Sequence, residues 1–151
     1  MTIDRIAAAP AAGHIIGGVH VDTTNGARRV LIDPATGNGF AEVAEAGEDE
    51  VDQAVAAARA AFASWSRLAP ADRSSALLQL ADRIEANSHR IAWIEAQNTG
   101  KPLAAAAEEI PFALDNLRFF AGAARTMTAQ AAGEYVAGYT SMLRREAIGV
   151  V

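Results

Sequence analysis

Ser141-Met-Leu-Arg-Arg-Glu-Ala-Ile-Gly-Val-Val151 is the stretch on which the reading of the fold turns. It passes from an extended segment through a charged corner into Ile148, Val150 and Val151, β-branched residues suited to a buried sheet position. An apolar run of this kind ordinarily continues for about 4–8 residues into turn chemistry. Here the sequence stops. An apolar strand left at a sheet edge pairs with other chains, so the expectation is that these 151 residues are the front part of something longer.

Upstream, residues 134–143 (Glu-Tyr-Val-Ala-Gly-Tyr-Thr-Ser-Met-Leu) carry the same β pattern. Before them the chain is helical in character. Glu48-Asp-Glu50 puts carboxylates in a first turn, where they suit the positive end of the helix dipole. Val51, Val55, Ala58, Phe62 and Trp65 follow at three- and four-residue steps and make one apolar stripe. Pro70 fits the first position of a second helix with Leu77, Leu80, Ala81 and Ile84 inward, interrupted at Asn87-Ser88. A shorter helix with Ile91 and Ile94 ends at Thr99-Gly-Lys-Pro102, a Gly-then-Pro stop. A fourth spans about residues 103–127 with Ile110, Ala113, Leu117, Phe120 and Ala124 inward and a kink or break expected at Pro111.

The remaining ordered part, residues 14–44, reads as a small antiparallel β unit. Gly17-Gly18 can supply the positive φ angles of a two-residue hairpin loop between His14-Ile-Ile16 and Val19-His-Val21. Asn25-Gly26 marks a second turn. Asp33-Pro-Ala-Thr-Gly37 joins the strand at residues 28–32 to a return strand at residues 40–44. Residues 1–13 read as a disordered lead-in.

Composition describes a soluble globular chain: 51% hydrophobic, 21% charged, formal net charge -5. The acidity and the isolated pairs Arg28-Arg29 and Arg144-Arg145 argue against nucleic acid as a partner. No stretch approaches the ~18 apolar residues of a membrane span, and a cytoplasmic setting is expected. The absence of cysteine removes disulfides, thiolate metal sites and a cysteine nucleophile from this chain.

Candidate sites reduce mostly to structural roles. Gly37-Asn38-Gly39 is half a dinucleotide fingerprint, with Glu42 where the third Gly belongs and a strand-to-strand turn around it. Gly100-Lys101 lacks the Ser/Thr and the first Gly of a phosphate loop and reads as a helix stop. In a hairpin looped at Gly17-Gly18, residue 14 opposes 21 and residue 15 opposes 20, so His14 and His20 face opposite sides and cannot share a metal. His89 has no companion at ligand spacing, and no serine sits in a Gly-x-Ser-x-Gly elbow. Glu108-Glu109 with Asp115 reads as a solvated helix face, and Phe119-Phe120 as core. Residue chemistry alone gives no catalytic constellation.

Six segments in order carry a resemblance: Ile16-Gly-Gly-Val19; Ile32-Asp-Pro-Ala-Thr-Gly37; the helix from Val51 to Phe62 with Trp65; Asn98-Thr-Gly-Lys-Pro102; Leu117-Arg-Phe-Phe-Ala-Gly-Ala-Ala-Arg125; and Gly133-Glu-Tyr-Val136 through Arg144-Arg-Glu-Ala-Ile-Gly-Val-Val151. With them the chain resembles the N-terminal part of the aldehyde dehydrogenase superfamily, nearest the aminobutyraldehyde and betaine aldehyde group. Departures are Asn38-Gly-Phe40, where the family usually continues Glu-Val-Ile, and Ala147, where it usually has Pro.

The resemblance implies an α/β fold whose sheet is incomplete here. It comprises the β unit and cofactor-domain helices over residues 14–132, the oligomerisation-arm strands over 133–147 and the first strand of the cofactor sheet at 148–151. It implies NAD(P)-dependent oxidation of aldehydes, here small amino-aldehydes, to acids through a cysteine thiohemiacetal. The family's cysteine, general-base Glu, oxyanion-hole Asn, cofactor Lys and Gly-rich turn lie downstream of residue 151. The chain alone is therefore expected to hold no NAD or NADP and to be inactive. The resemblance further implies a homo-oligomer through residues 134–143 and a monovalent cation held by the backbone carbonyls of Leu31 and Ile32 with Asn98. Asn98 stands where the family has Asp and removes a charge. The alternatives are a non-catalytic interaction module and a gene fragment without function.

Overall fold

The structure is a computed structural model and describes residues 13–23, 25–128 and 133–151. Apart from Gly13, the expected disordered lead-in lies outside the described residues. Among the described residues four strands precede four helices. They are β1 (His14–Ile16), β2 (Val19–Val21), β3 (Arg28–Ile32), β4 (Gly39–Ala44), α1 (Glu48–Trp65), α2 (Pro70–Ala86), α3 (Ser88–Thr99) and α4 (Leu103–Thr126).

The β unit forms as two separate antiparallel pairs, β1-β2 and β3-β4. In the first, Gly17 and Gly18 take φ of 60° and 83°, and His14 pairs with Val21 and Ile15 with His20. The positive angles at both loop positions match the strand twist, which is why a Gly-Gly pair closes so short a hairpin. In the second pair, Asp33 organises the turn. Its carbonyl accepts from Gly37 N–H at 2.8 Å and its Oδ1 from Ala35 N–H at 2.8 Å, while Gly37 supplies φ of 72°. β2 and β3 are joined across Asp22–Arg28 by a two-pronged ion pair at 2.7 Å instead of a ladder.

The helical half is built on α4, which packs against α2 and α3. The buried residues there are mostly small: Ala106 and Ala121 of α4 beside the larger Leu114, Ser74 and Ala81 of α2, and Ala92 of α3. Helices with Ala at the seam approach closely, in the 8–10 Å range of packed axes set by the side chains between them. α2 starts at Pro70 with its missing N–H at an unpaired position, α3 starts beyond Asn87, and α3 stops at Gly100 in the left-handed conformation at φ 75°.

Several expectations are corrected. The inward row of α4 runs through Leu114 and Ala121, so Phe119 and Phe120 are 66% and 58% exposed and are not core. One residue is a 100° rotation, and α4 carries apolar residues on both sides of the seam, so the sequence periodicity does not fix its phase. The helix is continuous through Pro111 and not broken there; Ala106 and Leu114 are buried on either side of it. The acidic first turn read for α1 is where it was expected, and in it Glu50 is 1% exposed with its Oε2 accepting from Gly47 N–H at 2.7 Å, which satisfies a first-turn donor. Residues 133–151 form no strand. They hold a tight turn with an isolated bridge between Val136 and Tyr139, Met142 is a further bridge position, and the segment is otherwise irregular and mostly exposed. Strand propensity expresses itself on a ladder, and the described residues of this segment form isolated bridges only.

The stripe of α1 is only partly covered, with Ala58 and Phe62 half-buried. The helix rests on β1, with Gly17 so close that a Cβ there would lie 3.8 Å from the Ala57 methyl. Val51, Val55 and Trp65 stay exposed.

Leu114→Ala should lower stability by about 2–5 kcal/mol through a cavity at the seam, whereas Phe119→Ala should stay within about 0.5 kcal/mol. Urea unfolding of both variants measures this. Equal losses would place Phe119 in the core after all.

Candidate functional site

Two turns rich in Gly and Pro come together at one corner. The first follows β3 at Asp33-Pro-Ala-Thr-Gly37; the second links α3 to α4 at Thr99-Gly-Lys-Pro102. Gly100 sits against the Pro34 ring. A Cβ at position 100 would lie 3.0 Å from Pro34 Cβ, and φ of +75° there disfavours any L side chain as well. Close approach and the left-handed angle both require glycine.

Around this contact the polar groups are paired. Gly100 N–H donates to the Ala96 carbonyl at 2.9 Å and closes α3, and Thr99 Oγ1 donates to the Glu95 carbonyl at 2.7 Å. Lys101 Nζ bridges Glu109 at 2.7 Å and Glu95 at 3.0 Å, tying the last turn of α3 to the second turn of α4. The Glu109 hydrogen bond, then that of Glu95, raises the lysine above its usual 10.5. This hub was not read from the sequence. Its trace there is acids six residues before and eight residues after Lys101, across a helix break that spacing rules do not bridge.

The residues assigned to a monovalent cation flank this corner. Leu31 and Ile32 end β3, with a bulge between them where the register to β4 shifts from Ala41 to Gly39. Asn98 is exposed on the last turn of α3. The Pro34–Gly100 contact holds the two segments side by side. All three donors are neutral oxygens.

The other candidates stay apart. His14 and His20 point to opposite faces of the hairpin. His14 is half-buried with its Nε2 shielded and unpaired, while His20 and His89 are exposed. Gly37-Asn38-Gly39 is the turn into β4, and Gly100-Lys101 is a helix stop. Glu108 and Asp115 are solvated and Glu109 is taken by Lys101. Among the described residues no group of three His, Cys, Asp or Glu is placed to hold a metal, and no helix is long and apolar enough to cross a membrane. The corner is thus a rigid junction of neutral carbonyls, an amide and a neutralised lysine. It can fix two elements relative to each other and offer oxygen ligands. It has no nucleophile beside a base, the pair that covalent catalysis requires.

A family model described as the aldehyde dehydrogenase family matches residues 20–151. A probable aldehyde dehydrogenase of Streptomyces coelicolor is 41% identical over 113 residues, covering 74% of this chain and 22% of the relative. A betaine aldehyde dehydrogenase of Mesorhizobium japonicum is 35% identical over 144 residues, covering 95% of this chain and 29% of the relative. The crystal structure of an NAD-dependent aldehyde dehydrogenase from Sinorhizobium meliloti superimposes with a TM-score of 0.85 at 31% identity, over 92% of this chain and 28% of that one. The chain spans about a quarter of the length of the relatives it matches.

The Lys101 bridge has a pH signature. A lysine raised above 10.5 contributes stability that is complete below that value and fades as pH climbs through its folded-state pKa. Thermal unfolding should therefore show an alkaline loss in the wild-type chain that Lys101→Met lacks, measured from roughly pH 9 to pH 12. Parallel curves for the two proteins would assign the bridge no role.

Proposed function

Because the chain belongs to the aldehyde dehydrogenase family, we propose that it is the N-terminal segment of an NAD(P)-dependent enzyme oxidising aldehydes to carboxylic acids, and that it is inactive by itself. The observation that carries this reading is the superposition of 92% of the chain onto 28% of an NAD-dependent family member. The distribution of surface supports it. Val51, Val55 and Trp65 of α1, Phe112, Phe119 and Phe120 of α4, and Tyr135, Val136, Tyr139, Met142, Leu143 and Ile148 are all exposed. A family member's remaining residues would cover such faces. Hydride transfer and thiolate attack need a bound nicotinamide and a cysteine, and this chain has no cysteine.

Within that reading the substrate is a small amino-aldehyde, a choice supported by the betaine aldehyde dehydrogenase among the relatives. NAD is favoured over NADP by the NAD-dependent structural relative. The stretch at residues 134–143 serves homo-oligomerisation by lending its open backbone edge to a second copy, and the setting is cytoplasmic. A monovalent cation binds the Leu31 and Ile32 carbonyls with Asn98. The Pro34–Gly100 contact, which brings the turn after β3 against the end of α3, supports the assignment, and because no ligand carries charge the binding is weak.

Two measurements test these assignments. The purified chain, given NAD or NADP and an amino-aldehyde, should produce no NAD(P)H absorbance, and should gain turnover only when co-expressed with the rest of a family member. Turnover by the chain alone would refute the reading. Asn98→Asp should add a carboxylate ligand, making the melting temperature rise with KCl beyond the rise in choline chloride of equal ionic strength. Identical salt responses would remove the cation site.

A further inference from the structure

Of the two Asn-Gly pairs in this chain, the fold ties down one and leaves the other loose. Asn25-Gly26 lies between β2 and β3. Asn25 Oδ1 accepts from Thr23 Oγ1 at 2.6 Å and from Ala27 N–H at 2.9 Å, so its side-chain amide is held from both sides. Asn38-Gly39 leads into β4. Among the described residues no hydrogen bond engages the Asn38 side-chain amide. Asn38 is held by its backbone alone, the carbonyl accepting from Asp33 N–H at 2.9 Å and the N–H donating to Thr36 Oγ1 at 3.3 Å.

The Gly39 nitrogen is not tied into the ladder either. In an antiparallel pair, hydrogen-bonded and open residue pairs alternate. The Asp33–Asn38 bond makes Ile32 and Gly39 an open pair, in which Gly39 N–H points away from β3. The register shift between Leu31 and Ile32 falls beside it, where the ladder is least regular. Glycine is imposed at this position by packing, since a Cβ there would lie 2.8 Å from Val30 Cγ1. The fold therefore keeps, directly after Asn38, the residue whose bare backbone lets its nitrogen reach a neighbouring carbonyl carbon.

We propose that Asn38 is a site of self-modification, at which the Gly39 nitrogen attacks the Asn38 side-chain carbonyl carbon and closes a cyclic imide. The Gly39 nitrogen gives up its proton and the side-chain nitrogen leaves as ammonia. Water then opens the ring. Opening at the main-chain carbonyl yields isoaspartate, and opening at the side-chain carbonyl yields aspartate. No oxidant or cofactor is consumed, and a neutral amide becomes a carboxylate. Isoaspartate adds a methylene to the main chain, which breaks the Asp33–Asn38 bond that closes the turn. The same turn carries Pro34 against Gly100, so conversion loosens the junction of β3 with the end of α3. The reacting atoms all belong to one dipeptide, and the site needs neither a second copy nor a partner.

Trypsin separates the two asparagines, because Arg28 and Arg29 lie between them. Mass spectrometry of the two peptides then reads conversion in the purified chain held at mildly alkaline pH. Asn38 should convert faster than Asn25 on the order of tenfold, the factor that two hydrogen bonds of ordinary net strength add to a barrier. In urea, with those bonds gone, the two rates should become equal. The Asn38→Gln chain, whose longer side chain closes the ring poorly, should show no conversion at position 38. After the same incubation it should melt higher than the aged wild-type chain, circular dichroism of the fresh proteins confirming that both start with the same fold. Equal rates at the two asparagines in the folded chain, or aged chains that melt alike, overturns the proposal. Turnover enters neither readout, so this inference and the enzymatic reading can fail separately.

Discussion

The structure depends on how closely α4 can approach α2 and α3. Ala81, Ala106 and Ala121 are 0–1% exposed, and Ala92 and Ser74 are almost as deeply buried. A seam of methyl groups allows a short interaxial distance but removes little apolar area per residue, so its transfer energy is small by the measure of about 25 cal/mol per Å². Among the described residues Leu114 is the one large apolar side chain buried there. The seam is therefore narrow and specific: a larger residue at 81 or 121 has nowhere to go, since overpacked cores shift backbone or force side chains off rotamer. Arg118, bridging Asp82 and Glu85 from α4, marks the wet edge of the same contact, where ion pairs add little.

That narrowness explains where the large apolar residues went. With the seam closed by alanines, Phe112, Phe119 and Phe120 cannot share it and stand outward, the last two ring to ring with centroids 5.3 Å apart in an edge-to-face pair. An aromatic pair of this geometry adds about 0.5–1.5 kcal/mol beyond the area it buries. Here it buries little, so the pair stabilises α4 only weakly while keeping a broad apolar face on offer. α1 makes the same choice on a smaller scale, with its alanine side on the hairpin and its valines outward.

What was legible in the sequence was local. Gly17-Gly18, Asp33-Pro34 with Gly37, Pro70, Asn87-Ser88 and Gly100 each act through their own φ angles or side-chain bonds, and each boundary falls where those residues put it. The features that escaped depend on distant partners. The phase of α4 was set by alanines on α2 and α3 and not by the period of its own apolar residues. Pro111 stands inside a continuous helix, with buried residues on either side. Residues 134–143 have strand chemistry and form isolated bridges only, because a ladder needs a continuous second edge. Of the candidate site, the helix stop and the turn were readable; that Gly100 touches Pro34, and that Lys101 joins two helices, required the fold.

The same distinction bears on chemistry. A reactive centre gathers unlike groups from separate elements into one water-excluded place, whereas the polar side chains of this chain pair locally or along helix edges. Arg28 binds Asp22 and Arg29 binds Glu45 beside the strands; Lys101 binds Glu95 and Glu109 across a single turn; Arg118 binds Asp82 and Glu85. Each pair joins neighbouring elements and fixes their relative position. Charge in this segment has a mechanical use, and the surfaces that stay open are apolar ones, as at α1 and α4. A segment built this way acts by what it holds in place and by what covers it.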